Sequence, residues 1–296
     1  VLPSGVLKEV PKKEFVYNWT KRARRDEKIF ADKTMDSIKA IWPFSQSADK
    51  IVVSREGTAW YLLAEVSAEE FLQADEWEEC RGTLAAGGLM IPCEKDADSL
   101  ICGAQNGDLV RLPAEKLCAW QGRQQIVRIG EAPLAAACFC MATDDILLIS
   151  EKGQALRTHV SDLYRRVDIG GGLTKGMRMK TGTDDRLRCC LVYQPKRSLT
   201  AISQQRKLLV LRVDGEEKAQ FRAQGHVGEG VCLVHVEGSD GVADVLYADQ
   251  AVLLLSDSGY AQCRDVSVLR EKGRRAKGIE GMKRGQVIRA VCAKVK

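Results

Sequence analysis

An all-β fold, a closed propeller-like ring of about six small sheets, is predicted by three features of this 296-residue sequence. A hairpin returns about every fifty residues, a glycine landmark follows it, and convincing helices are few. The hairpins are strand-like runs broken by tight turns. They lie at Asp49 to Leu63 around Glu56-Gly57, Ser99 to Leu112 around Asn106-Gly107, Asp144 to Thr158 around Lys152-Gly153, and Asp249 to Cys263 around Ser258-Gly259. Ser198 to Val213 has the same character around Gln204-Gln205 without the glycine, and Val1 to Val10 reads as the second half of another, turning at Ser4-Gly5. Turn positions 5, 57, 107, 153, 205 and 259 are separated by 52, 50, 46, 52 and 54 residues. That regularity is typical of blade arrays and predicts one domain, 1–296, with blades near 1–45, 46–96, 97–142, 143–195, 196–248 and 249–296.

The glycine landmark reads G-x-x-x-x-G and recurs at Gly82 to Gly87, Gly171 to Gly176, Gly225 to Gly230 and Gly273 to Gly278. In the third repeat only Gly122 and Gly130 remain, and the corresponding stretch of the first, Thr20 to Lys28, has no glycine. Each repeat then returns to strand-like sequence, as at Arg186 to Tyr193 and Val242 to Tyr247, giving about four short strands per unit. Ala68 to Glu79 is the main exception, an acidic stretch that predicts a surface helix.

Composition narrows the function classes. A net charge of +5 is modest, so the placement of charge says more than its sum. Residues 264–296 hold eleven basic and three acidic side chains, and residues 1–30 hold eight and four; the two segments adjoin if the ring closes. Residues 45–120 hold six basic and fourteen acidic ones. The odd count of eleven cysteines, without C-x-x-C and with three scattered histidines, points to reduced, apolar side chains in a cytoplasmic protein, with no metal site and no cofactor. Apolar runs such as Ala251 to Leu255 fall far short of the ~20 residues of a membrane helix. The start at Val1, without Met and inside strand-like sequence, reads as a segment of a longer protein.

The glycine boxes are not phosphate loops of the Lys-Ser/Thr kind: Gly278 precedes Ile279-Glu280 and Gly176 precedes Met177-Arg178. Tight connection between strands accounts for the glycines on its own. A binding role arises where cations sit in the loop, most clearly at Lys272-Gly273-Arg274-Arg275-Ala276-Lys277-Gly278, flanked by Arg270, Lys283 and Arg284. Lys175, Arg178 and Lys180 border the Gly171 to Gly176 box, and Lys21, Arg22, Arg24, Arg25 and Lys28 occupy the first repeat. Small residues let backbone amides and forked guanidinium groups approach phosphates. No catalytic constellation emerges, and Asp144-Asp145 and Asp184-Asp185 read as turn formers.

A strand, a glycine turn and an Arg-rich glycine box together resemble the repeat found in the C-terminal domains of bacterial type IIA topoisomerase A subunits, those of DNA gyrase and topoisomerase IV. The best matches are Val252 to Tyr260 with Gly273 to Ile279, and Ile146 to Gly153 with Gly171 to Gly176. The resemblance implies a six-bladed β-pinwheel with strands exchanged between blades and duplex DNA bent around a basic rim. It further implies sequence-independent, salt-sensitive binding and a nucleoid-associated place in the bacterial cytoplasm. The partners it implies are double-stranded DNA, the remaining parts of the parent A chain, and an ATPase B subunit. The active-site tyrosine and ATP hydrolysis would then belong to other parts of the parent enzyme. Gyrase's box, Q-R-R-G-G-K-G in the first blade, is absent from Thr20 to Lys28, and the last-repeat box is one residue shorter. These departures favour a topoisomerase IV-like protein. The competing readings are a protein-binding propeller using the acidic second repeat and exposed aromatics such as Trp60 and Trp77, and a propeller enzyme with its site in a central channel.

Overall fold

The hairpins form for local reasons that repeat. Ser54, Ser150, Ser203 and Ser256 end the first strand of their hairpins, and each Oγ accepts the backbone N–H four residues on, at 3.0 to 3.1 Å. The third repeat has Ala104 there, and Asn106 compensates by accepting the Asp108 N–H at 3.1 Å. The last turn residue takes positive φ: Gly57, Gly107, Gly153 and Gly259, at +75° to +89°. In the fifth repeat Arg206 adopts that conformation at +73°, so the turn that lacks glycine bears its strain on an arginine. Asp185 accepts from Ser150 Oγ at 2.7 Å and Lys152 N at 2.8 Å, and Asp144 from Met141 N at 2.7 Å, as turn-forming carboxylates do.

The computed structural model describes residues 27–28, 44, 48–119, 122–163, 167–180, 182–212, 222–225, 227–273 and 275–293. They form propeller-like four-stranded sheets, each with a central hairpin, a third strand beside it and a short outer strand. The chain divides into two compact units. In the unit Phe44–Tyr193 with Phe221–Val231, the first sheet joins Lys50–Val53, Thr58–Leu62, Leu89–Pro92 and Arg123–Gln125. The second joins Ser99–Ala104, Asp108–Pro113, Leu134–Cys140 and Thr174–Lys175, and the third Asp145–Ser150, Gln154–His159, Leu187–Val192 and Val231–Cys232. In the unit Val1–Pro43 with Gln194–Gln220 and Cys232–Lys296, the fourth sheet joins Leu199–Ser203, Lys207–Leu211, Val242–Tyr247 and Ile279–Glu280. The fifth joins Ala251–Ser256, Tyr260–Asp265, Val287–Ala293 and Glu27–Lys28.

Every outer strand comes from a different repeat than its hairpin. Four are donated by a repeat later in the chain, and Glu27–Lys28 comes from the first repeat. The first hairpin strands are nearly continuous apolar runs, such as Ile146 to Ile149, because both their faces are covered. Ile101, Ile146, Leu148 and Leu187 share one core in the first unit; Ile202, Leu208, Val252 and Leu254 share one in the second. Lys50 is buried in such a strand; its Nζ donates to Ala48 O at 3.0 Å and lies 4.6 Å from the Phe44 ring centre. Desolvation lowers its pKa against the raising influence of Asp49 and Cys93.

Three sequence expectations are corrected. Five four-stranded sheets, not six, stand among the described residues, and no pairing among them completes a closed ring. Val1 to Val10, the sixth hairpin, lies outside the described residues, and the second repeat donates no outer strand among them. Where its Gly82 to Gly87 box predicts a loop, the chain is helical over Ala68–Gln73 and Glu78–Ala85. A Ser67–Glu70 capping box starts the first helix, Phe71, Cys80 and Leu84 are the buried anchors, and Gly87 stops the second. Its φ of +92° lets Gly87 N and Gly88 N donate back to Leu84 O and Thr83 O. The third correction concerns the aromatics: Trp60 is buried, and Trp77 is half-buried beside Phe71, so neither ring is exposed as expected.

Candidate nucleic-acid interface

In the fourth, fifth and sixth repeats the glycine boxes hold or lead into the donated strands. Thr174–Lys175 lies inside the Gly171 to Gly176 box, while Val231–Cys232 and Ile279–Glu280 follow Gly230 and Gly278 directly. The second glycine of each of these three boxes sits against a hairpin from an earlier repeat. A Cβ on Gly176 would stand 2.4 Å from Leu109 Cγ, one on Gly230 2.4 Å from Ala155 O, and one on Gly278 3.0 Å from Leu208 O. The hairpin tip completes the clamp: Gly107 O accepts from Met177 N at 2.9 Å, and Arg206 O from Gly281 N at 2.8 Å. The first glycines differ among themselves. A Cβ on Gly273 would meet nothing within 4 Å, whereas Gly171 lies against Val167 and pairs in parallel with Val127.

This packing turns the last-repeat box into a loop tied at both ends. Lys272 N donates to Val210 O at 2.9 Å, and Ile279 pairs with Leu208. Between them Arg275 takes a left-handed φ of +63° and donates its N–H to Leu233 O at 3.2 Å, while Lys272 Nζ donates to Lys277 O at 3.0 Å across the loop. Arg275 and Lys277 are exposed, Lys277 with 85% of its side chain, against one acidic neighbour, Glu237, at 3.7 Å. Arg270 and Lys283 are exposed too. Arg284 stacks 5.1 Å from the Tyr260 ring centre and donates to its hydroxyl at 2.9 Å. Tyr260 in turn is the register partner of Lys28, so one sheet joins the two basic segments of the sequence. Arg274, Lys21, Arg22, Arg24 and Arg25 lie outside the described residues, as does the side chain of Lys28.

In the other unit, Arg178 and Lys180 are exposed, and Lys175 pairs with Asp108 at 2.9 Å. With the Lys175 side chain 72% exposed, a surface pair of this kind contributes about 0–1 kcal/mol. Arg123 and Arg128 escape the sequence reading because the third repeat lacks the full box; Arg123–Gln125 is nevertheless the donated strand of the first sheet. Arg123 is held by Glu79 at 3.0 Å over the Trp60 ring, and Arg128 Nε donates to Gly170 O at 2.6 Å. The signal that marks them is two arginines either side of Gln124-Gln125-Ile126-Val127, between Gly122 and Gly130. Among the described residues, no His, Cys, Asp and Glu group can hold a metal ion, and no helix is long and apolar enough to cross a membrane.

No protein-family model matches the chain. The DNA gyrase A subunit of Mycobacterium bovis (strain BCG / Pasteur 1173P2) is 30% identical over 161 residues, 52% of this chain and 18% of that protein. That of Mycolicibacterium smegmatis is 27% identical over 207 residues, 66% of this chain and 23% of that protein. A solved DNA gyrase A C-terminal domain superposes over 98% of this chain and 97% of its own, with a TM-score of 0.76 at 16% identity. Over about half its length the chain is similar in sequence to DNA gyrase A subunits. Its fold is that of the gyrase A C-terminal domain, and the C-terminal domain of a DNA topoisomerase IV follows at a TM-score of 0.64 and 12% identity, covering 83% of this chain and 79% of that one. The chain spans about a fifth of the length of the curated relatives it matches.

Proposed function

We propose that this chain is a non-catalytic domain of a type IIA topoisomerase A subunit that binds duplex DNA without regard to sequence and bends it along its basic box loops. The observation that carries the reading is the last-repeat box: exposed Arg275 and Lys277 on a loop tied to the sheet at both ends, within a gyrase A C-terminal fold. Pre-ordering the loop lowers the entropy lost when its cations meet phosphates. Several such contacts offset the elastic cost of bending, on the order of 1 to 6 kcal/mol for 40 to 90° over 20 to 30 bp. DNA cleavage and ATP hydrolysis would belong to other parts of the parent and to its ATPase B subunit, in the bacterial cytoplasm at the nucleoid.

The shortened last-repeat box favours topoisomerase IV-like handling of DNA crossings, while the curated relatives carry the name of gyrase. A topology assay on the intact parent enzyme decides between them: introduction of negative supercoils excludes the topoisomerase IV-like role. The DNA reading itself is tested by titrating the domain against a duplex of about 150 bp, one persistence length. Affinity falls steeply between about 50 and 200 mM salt, by roughly tenfold or more, if phosphate contacts dominate. Weak binding that is indifferent to salt would overturn it.

A further inference from the structure

Two thiols from different repeats meet outside everything the DNA reading uses. Cys138 lies on Leu134–Cys140, the third strand of the second sheet, and Cys190 on Leu187–Val192, the third strand of the third sheet. Their Sγ atoms are 3.1 Å apart although 52 residues separate them in sequence. Both residues are half-buried and pack against the same core, which contains Ile101, Ile146, Leu148 and Leu187. A disulfide bond is about 2.05 Å long, so the sulfurs have roughly one ångström left to close. Neither thiol is in a disulfide in this structure, and the strands that carry them are held by full ladders, Cys138 opposite Ile101 and Cys190 opposite Leu148.

We propose that Cys138 and Cys190 form a thiol oxidation site that takes a hydroperoxide and closes to a disulfide between the third and fourth repeats. The Cys190 thiolate attacks the distal peroxide oxygen, the O–O bond breaks, and the sulfur becomes a sulfenic acid while water leaves. Cys138 then attacks that sulfur, the S–O bond breaks, and a second water leaves. Two thiols give up two electrons and two protons, and one hydrogen peroxide becomes two waters.

The division of labour follows from the surroundings. Cys138 is held well above the ordinary thiol range: a hydrogen bond with Cys140 pulls it down, but its bond with Cys190 and burial outweigh that. Cys138 is therefore a poor first nucleophile. As the resolving thiol it needs little thiolate, because its target sulfur is already in contact. Half-burial admits peroxide and hinders larger oxidants. The closed link spans two repeats that otherwise cohere through packing and donated strands, and it stiffens the joint between them. The proposal does not depend on DNA binding.

The test uses the whole chain, reduced and then exposed to hydrogen peroxide, with tandem mass spectrometry of tryptic fragments and thermal unfolding as readouts. The expected result is one link between Cys138 and Cys190, reversed by dithiothreitol, that raises Tm by on the order of 5 °C. Cys138→Ser and Cys190→Ser each abolish the link, whereas Cys140→Ser and Cys189→Ser retain it. Links through Cys140 or Cys189, or oxidation of Cys138 and Cys190 as separate sulfinic acids, would overturn the proposal. Should a serine variant fail to fold, the wild-type fragment map decides alone.

Discussion

After its hairpin, the second repeat spends residues 67–88 on two helices whose first turns carry Glu69, Glu70, Glu78 and Glu79. The last repeat spends the corresponding stretch on a cationic loop and a two-residue strand laid against Lys207 and Leu208. One position in the repeat thus has two outcomes, and charge goes with them. Where the segment packs as a donated strand, its glycines are forced by a neighbouring backbone and the loop projects cations. Where it folds back on its own hairpin, as Leu84 and Phe71 allow, Gly82 is incidental, Gly87 ends a helix, and the surface is acidic.

The contrast is sharpest at the glycines. Gly176→Ala should destabilise the protein by about 2–4 kcal/mol in chemical denaturation, since its Cβ meets Leu109 Cγ at 2.4 Å and Gly107 O at 2.7 Å. An effect below about 1 kcal/mol would break the claim that the box is a packing device. Next in size is DNA affinity. Arg274→Glu, Arg275→Asn and Lys277→Glu together should weaken duplex binding by roughly tenfold at low salt and flatten its salt dependence. Asn is chosen at 275 because it tolerates the left-handed backbone there. Charge reversal at Lys95 in the acidic repeat should change affinity by less than about twofold; it is a cleaner comparator than Arg81, which donates to Phe71 O and Ala74 O and so braces the helices. Equal effects in the two repeats would end the comparison.

Smaller effects refine it. Ser150→Ala removes the acceptor of Gln154 N and the donor to Asp185, and should cost about 1–2 kcal/mol in unfolding free energy. Gly82→Ala should have the opposite sign to Gly176→Ala. With nothing within 4 Å and a helical backbone, it gains about 0.5–1 kcal/mol of helix propensity. Loss of stability there would show that Gly82 has a packing role like that of the true boxes.

The site was partly legible. Arg275 and Lys277 stand out as cations between Gly273 and Gly278, with Lys272 just before them, and both are exposed on a loop held at its two ends. Arg123 was hidden, because a donated strand of three residues is too short to show any periodicity. Trp60 misled, since the run Ala59-Trp60-Tyr61-Leu62 does not say which of its side chains a neighbouring strand will cover.

What the sequence determined alone was the hairpins and their spacing. A serine accepting from four residues on and a glycine at positive φ are contacts among neighbours in the chain, so their residue types are written locally. Tertiary structure decided where each box goes. Whether residues 82–87 or 171–176 meet a foreign hairpin depends on backbone groups fifty or more residues away, and two glycines with the same spacing serve a helix end in one repeat and a sheet edge in another.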